Sequence, residues 1–196
     1  GRAVGVRVRV RGQMTDIRAR AEVILSAGAI GSPQILMLSG VGAGEELQDK
    51  GIGVLADLPG VGKNLQDHLQ ARPVFKTPLS TINVETNSLF KQGLIAAQYA
   101  LTGRGPMTMA ASLGTAFLKT APHLETPDIQ FHIQPFSADS PGQGAHTFSA
   151  FTASVLQLRP ESAGHLELRS PHMEDAPAIH PNYLATDTDC RTIVKG

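Results

Sequence analysis

Glu22-Val23-Ile24-Leu25-Ser26-Ala27-Gly28-Ala29-Ile30-Gly31-Ser32-Pro33-Gln34-Ile35-Leu36-Met37-Leu38-Ser39-Gly40 is the stretch on which the fold class turns. It opens with a continuous apolar run over 22–29, the pattern of a strand buried on both faces of a parallel sheet. Ser32-Pro33 then pairs an N-cap residue with a proline at the first helical position. Residues 34–38 continue as a helix, which Ser39-Gly40-Val41-Gly42 ends. A strand that passes through small residues into a helix lets backbone approach a ligand closely, and it turns free N–H groups toward an anion. Ser26, Ala27, Gly28, Ser32 and Pro33 would line such a nucleotide-type site. A tight turn in any parallel sheet asks for the same small residues, so this stretch alone leaves both readings open.

Working outward, Val4, Val6, Val8 and Val10 alternate with Arg7, Arg9 and Arg11, a strand with one apolar and one charged face. A turn at 11–15 and a second strand at 17–21 would complete a hairpin. Downstream, a short helix at 43–50 ends at Gly51. The glycine-rich loop Leu58-Pro59-Gly60-Val61-Gly62-Lys63-Asn64 then leads into Leu65-Gln66-Asp67-His68. The composition shifts near residue 70. A polar stretch over 76–87 precedes a helix at 88–101, whose Leu89, Phe90, Leu94, Ile95, Ala97 and Leu101 fall near helical spacing, with Gly103 as its stop. Strand-like runs at 111–119, 128–136, 148–159 and 165–169, separated by Pro/Gly/Ser loops, predict an antiparallel sheet. Thr186 reads as the N-cap of a last helix with acids in its first turn. The expected class is α+β. A partial α/β domain spans residues 1–70, and a domain with an antiparallel sheet flanked by helices spans 71–180.

The composition narrows the function classes. Lys+Arg and Asp+Glu balance at 17 each among 196 residues, so no basic field is present to hold a nucleic acid. No apolar run approaches the roughly 20 residues of a membrane helix. The lone Cys190 excludes a disulfide framework and is read as a packing residue. His123, His146, His165, His172 and His180 lack metal-ligand spacing, so no metal site is expected. Glu45-Glu46 and Glu174-Asp175 read as solvated charges. The chain opens without Met on a strand already in progress and stops about two turns into a helix. An excised piece of a longer protein is therefore expected, with a complete small protein as the alternative.

Gly28 to Gly42 resembles the second signature of the glucose–methanol–choline (GMC) family of flavin oxidoreductases. Asp57-Leu58-Pro59-Gly60-Val61-Gly62-Lys63-Asn64-Leu65-Gln66-Asp67-His68 resembles the next block of that family. Pro127-Asp128-Ile129-Gln130-Phe131-His132, Leu158-Arg159-Pro160-Glu161-Ser162-Ala163-Gly164-His165-Leu166 and Pro181-Asn182-Tyr183-Leu184 match in the same order. The resemblance implies a longer FAD enzyme that oxidises an alcohol to a carbonyl by hydride transfer to the flavin. Its flavin domain would be discontinuous, with a substrate domain inserted into it. Residues 1–70 would then be the middle of the flavin domain, 71–180 the substrate domain and 181–196 the truncated start of a return to the flavin domain, and Ser26, Ala27, Gly28, Ser32 and Pro33 would face the cofactor. The family's Gly-x-Gly-x-x-Gly loop for the FAD pyrophosphate is not in this sequence, nor is the His-Pro-x-Gly-Thr context of its catalytic histidine. The chain itself is accordingly expected to hold no catalytic residue, to bind FAD weakly or not at all, and to be inactive alone.

Gln130, His132 and Gln134 alternate with Ile129, Phe131 and Ile133, so His132 shares the polar face of its strand. That face is either solvent or the wall of a substrate cavity. A histidine at the matching place lines the cavity of choline-oxidising relatives, so the resemblance makes His132 a substrate-binding candidate. Those relatives also carry an acid on the preceding strand. Here the matching stretch, Ala110-Ala111-Ser112-Leu113-Gly114-Thr115-Ala116-Phe117, has none, and Ser112 is the second substrate-binding candidate. With no Trp and two Tyr, an aromatic cage for a trimethylammonium group is poorly supplied. A neutral alcohol is therefore expected as substrate, with oxygen or a quinone as the final electron acceptor. A lyase on the same flavin fold and a non-catalytic substrate-binding module are the alternatives. His68 reads as a loop-capping residue, and the expected location is cytoplasmic or membrane-peripheral.

Overall fold

Arg11 (φ 50°) and Gly12 (φ 83°) form the two-residue loop joining β1 (Gly5–Val10) to β2 (Gln13–Arg18). Positive φ at both loop positions matches the twist of paired strands, so the second strand starts at once. It therefore occupies 13–18 rather than the expected 17–21. Val6 lies across from Ile17 and Arg7 from Asp16, and the Arg7 Nε donates to Asp16 Oδ1 at 2.6 Å. On the apolar side of the hairpin Val6, Val10 and Ile17 are exposed.

The structure, a computed structural model, describes residues 1–110, 112–140 and 142–196. Beyond the hairpin the chain forms α1 (Gly28–Leu38), β3 (Val41–Gly42), α2 (Gly44–Asp49), β4 (Ala56–Asp57) and β5 (Lys63–Leu65). It continues with β6 (Gln70–Ala71), β7 (Val74–Lys76), α3 (Ile82–Glu85) and α4 (Leu89–Thr102), then a 3-10 turn at Pro106–Thr108. β8 (Gly114–Leu118), β9 (Ile129–Gln134), β10 (Ala150–Gln157), β11 (Gly164–Glu167), β12 (Ala178–His180) and α5 (Asp187–Lys195) complete it. The class is α+β. Among the described residues the strand pairings are antiparallel except β3 with β4. Ala111, the first residue of one expected strand, lies outside the described residues.

Two expectations for the opening stretch are corrected. Residues 22–26 form no strand, and Ile24 is 75% exposed. A strand of a parallel sheet needs neighbours to take up its N–H and C=O groups, and no described segment pairs with this one. Helix α1 also starts earlier than Ser32. Its N-cap is Ala27, and Pro33 lies inside the helix. The Ser32 hydroxyl accepts the Ala27 N–H at 3.0 Å, so it still serves the helix start, from within.

Residues 1–66 and 163–182 form one compact unit, and 67–162 and 183–196 another. In the first, Met37, Leu47, Leu166 and Leu168 make the buried core, with Ile30, Leu38, Ile52, Val54, Val61 and Leu65 packed around it. Each fully buried leucine there contributes on the order of 1.5–3 kcal/mol. β11 joins β5 on one side and β12 on the other, so the expected strand at 165–169 does not extend the large antiparallel sheet. Gly62 (φ +80°) makes the β5 approach possible: its carbonyl accepts the Leu166 N–H at 2.7 Å, and a Cβ there would stand 2.9 Å from the Leu166 carbonyl oxygen. Buried Gln34 of α1 donates to the Asp175 carbonyl at 3.1 Å and fastens the loop before β12.

In the second unit the sheet order is β6-β10-β9-β8, with β7 also on β10. β6 and β7 are one edge interrupted at Pro73, which has no N–H to give the ladder; its carbonyl still accepts from Ala153 at 3.1 Å. Ser88 caps α4, accepting the Lys91 N–H, and Gly103 ends it in the left-handed conformation, as the sequence predicts. None of its residues is buried. Thr186 caps α5 by accepting from Asp189 at 3.2 Å. The buried Asp189 carboxylate in turn accepts the N–H groups of Glu161 (2.9 Å) and Ser162 (2.8 Å). Burial alone would raise this carboxyl, but the bonds from Ser162 and Glu161 outweigh it and bring its pKa to about 2.

Candidate functional site

All five residues expected at the cofactor lie at one place, the start of α1. With Ala27 bonded to Ser32, the N–H groups of Gly28, Ala29 and Ile30 have no intrahelical acceptor, and no acid stands in the first turn. Pro33 has no N–H to return to Ala29, so that carbonyl also loses its regular partner. A Cβ at Gly28 would meet nothing within 4 Å. An open hollow of about 350 Å³ lies here, with Ala29 and Pro33 on one side and Gly62, Lys63, Asn64, Leu65, Gln66 and Leu166 on the other. The start of α1 and the glycine-rich block thus meet at one concave surface, to which Ala29 and Pro33 contribute from the helix. These residues fit part of a flavin nucleotide. They include no loop of the kind that cradles a pyrophosphate.

His132 sits mid-strand in β9, across from Ser154 on β10 and Thr115 on β8. Residues opposite one another in antiparallel strands share a face, so an imidazole and two hydroxyls line up across three strands. This face is more deeply covered along β10 than solvent would allow: Ala150, Thr152, Ser154 and Leu156 are each at most 2% exposed. His132 is half-buried, and among the described residues it has no side-chain hydrogen bond. The buried Ser154 hydroxyl also has no partner. Gln134, on the same face, accepts from the Arg72 guanidinium at 3.3 Å. Nearby, a hollow of about 410 Å³ is lined by Arg72, Val74, Lys76, Asp139, His146 and Phe148, among others.

Ser112 is placed differently. Its hydroxyl donates to the Gly114 carbonyl at 2.9 Å and lies 3.3 Å from that of Ile133. Thr115, not Ser112, is the β8 residue across from His132. Sequence reasoning missed Thr115 and Ser154, although the alternation in 150–156 was available to place Ser154 opposite a polar neighbour.

Three other clusters are resolved by their surroundings. The His146 Nδ1 lies 3.0 Å from Ser137 Oγ and its Nε2 3.1 Å from Asp139 Oδ1, a chain of nucleophile, base and acid in outline. Ser137 is wholly buried, and Asn83 donates to its carbonyl and hydroxyl at 2.9 and 3.2 Å, so the network braces a loop. His68 reaches the Leu158 carbonyl at 3.1 Å. Its neighbour Asp67 takes the Tyr183 hydroxyl, whose bond holds the carboxyl below its ordinary range and the phenol above its own. The third cluster, His165, Glu167 and His180, is drawn together by strand pairing although the sequence spacing predicts no metal ligands.

Known proteins resemble this chain in sequence and in fold. Residues 1–70 match the family model described as GMC oxidoreductase. An oxygen-dependent choline dehydrogenase of Rhizobium etli is 38% identical over 96% of this chain and 34% of its own length. An alcohol dehydrogenase [acceptor] of Pseudomonas putida is 38% identical over 89% of this chain and 32% of its own length. The chain spans about a third of the length of the curated relatives it matches. A formate oxidase of Aspergillus oryzae RIB40, studied for modification of its FAD, shares the fold with a TM-score of 0.85 at 24% identity, over 99% of this chain and 39% of that one. FAD is the cofactor of the family these proteins represent. Sequence blocks, fold and relatives agree: residues 1–70 carry the GMC oxidoreductase family match, and the chain as a whole is similar to choline and alcohol dehydrogenases.

Proposed function

We propose that this chain supplies part of the flavin-binding surface and the substrate-facing sheet of an enzyme that oxidises an uncharged alcohol to a carbonyl compound. The first turn of α1 and the hollow beside Gly62 would hold part of FAD, which when bound supplies the hydride acceptor. Backbone N–H groups of Gly28, Ala29 and Ile30 would meet its polar atoms. His132 would bond the substrate hydroxyl and orient its carbon, with Thr115 and Ser154 beside it. Removing the hydroxyl proton falls to a residue outside this chain, so the chain alone is proposed to be inactive.

The observation that carries the preference for a neutral alcohol is the charge of the face around His132. Thr115, Phe117, Gln130, Gln134, Thr152, Ser154 and Leu156 surround it in strand register without a carboxylate, and Arg72 is bonded to Gln134. A guanidinium near the site disfavours a quaternary ammonium. The test uses the complete flavoprotein that contains this chain, mixed without oxygen with a series of primary alcohols and with choline, while bleaching of the flavin is followed. A neutral alcohol should exceed choline at least tenfold in kcat/KM, and His132→Gln should raise KM more than it lowers kcat. Preference for choline would overturn the reading, as would alcohol-dependent dye reduction by the 196-residue chain alone.

A further inference from the structure

We propose that His165, Glu167 and His180 form a binding site for a divalent transition-metal ion of the Zn²⁺ type, on the β12-β11-β5 sheet and apart from the alcohol chemistry. His165 and His180 are directly opposed across β11 and β12. Glu167 stands two residues beyond His165 and so shares its face. The imidazole rings stack with centroids 4.6 Å apart and planes 20° from parallel. Glu167 reaches both: its Oε1 lies 2.9 Å from His165 Nε2, and its Oε2 lies 3.9 Å from His180 Nε2. All three ligand atoms fall within 4.8 Å of one another, the one such grouping of three among the described residues.

The donor set selects the ion. Two imidazole nitrogens and one carboxylate oxygen are the ligands that hold zinc with a fourth position open to water, while calcium and magnesium take oxygen donors. At metal–ligand distances near 2.0–2.1 Å, tetrahedral ligand atoms stand roughly 3.3 Å apart. The observed separations bracket that value, so side-chain rotations alone could close the site. Its surroundings leave it free to do so. Ala178, the residue across from Glu167, is too small to cover the carboxylate. Lys63, across from His165 on β5, is tied to Glu46 at 2.7 Å and does not neutralise Glu167. All three ligands are partly exposed, which gives an ion a path from solvent. A bound ion would join β12, a three-residue strand at one end of the sheet, to β11 through side chains as well as backbone.

The experiment is a calorimetric titration of the metal-free protein with Zn²⁺, repeated with Co²⁺ to read the visible absorption of a four-coordinate ion. One equivalent should bind in the micromolar range. His165→Ala and His180→Ala should each weaken binding at least tenfold, Glu167→Gln should weaken it by about the same factor, and His123→Ala should leave it unchanged. In the unsubstituted protein, substoichiometric Co²⁺ should broaden the imidazole NMR signals of His165 and His180 before those of any other histidine, a readout that does not depend on how the variants fold. Absence of saturable binding below 1 mM would overturn the proposal. So would binding that survives in the double variant His165→Ala/His180→Ala, or Co²⁺ broadening that begins elsewhere.

Discussion

Ser154 lies directly across the β9–β10 ladder from His132, and its hydroxyl is completely buried without a hydrogen-bond partner among the described residues. A buried hydroxyl in that condition carries an uncompensated desolvation cost, about 1–3 kcal/mol. Removing the oxygen should therefore stabilise the unit that holds it. Ser154→Ala is expected to raise the stability of the chain by about 1 kcal/mol, read as a higher urea midpoint with an unchanged slope. A loss of stability would mean that the hydroxyl has a partner in solution.

Gly62 combines a φ of +80° with a Cβ position 2.9 Å from the Leu166 carbonyl oxygen. Gly62→Ala must either strain the backbone or push β11 away from β5. A destabilisation of about 2–3 kcal/mol is expected. Amide exchange should show it first at Leu166, whose N–H is bonded to the Gly62 carbonyl. Unchanged protection at Leu166 would show that the loop accommodates a methyl group.

The Asp189 carboxyl titrates at about 2 in the folded chain, below the roughly 3.9 of an unfolded aspartate. The folded state thus binds its proton less readily than the unfolded state, and the charged form is the stabilising one. Its contribution, about 2 kcal/mol, is complete above pH 4 and is lost as the pH falls from about 4 through 2. Asp189→Asn should lower stability at pH 7 and flatten the pH dependence in that interval. Parallel pH–stability curves for the two proteins would count against this assignment.

Leu166, 2% exposed in the core with Met37 and Leu47, should cost about 2–5 kcal/mol on truncation to Ala. Ile24, 75% exposed, should cost less than about 0.5 kcal/mol when changed to Ser. The pair distinguishes the observed irregular 22–26 segment from the buried strand its composition suggests. Comparable losses from both substitutions would restore the strand.

The sequence was most informative where a structural signal is local. Ser88 and Gly103 bound α4 and Thr186 caps α5, because a cap depends on the hydrogen bonds and backbone angles of a few adjacent residues. The alternation of 129–134 placed His132 on the polar side of β9, since a strand's period sets which residues share a face. The small residues around the start of α1 were read as a candidate cofactor surface, but that the glycine-rich block over 58–64 faces Ala29 and Pro33 across one hollow was not legible in the sequence.

What lay beyond the sequence depended on partners distant along the chain. The apolar run at 22–26 has strand composition, yet backbone groups become a strand only when a neighbour accepts their hydrogen bonds, and among the described residues none does. His165 and His180 look unrelated at their spacing, and only the β11–β12 register brings their rings within 4.6 Å. Ser112 looked available until the fold gave its hydroxyl to the Gly114 carbonyl, while Ser154 became notable only once β10 was buried beside His132. Local sequence determined the elements and their faces through torsional preference and periodicity. Which faces met, and therefore which polar groups were paired or left without partners, was decided by tertiary packing, because burial and hydrogen bonding are properties of neighbours in space.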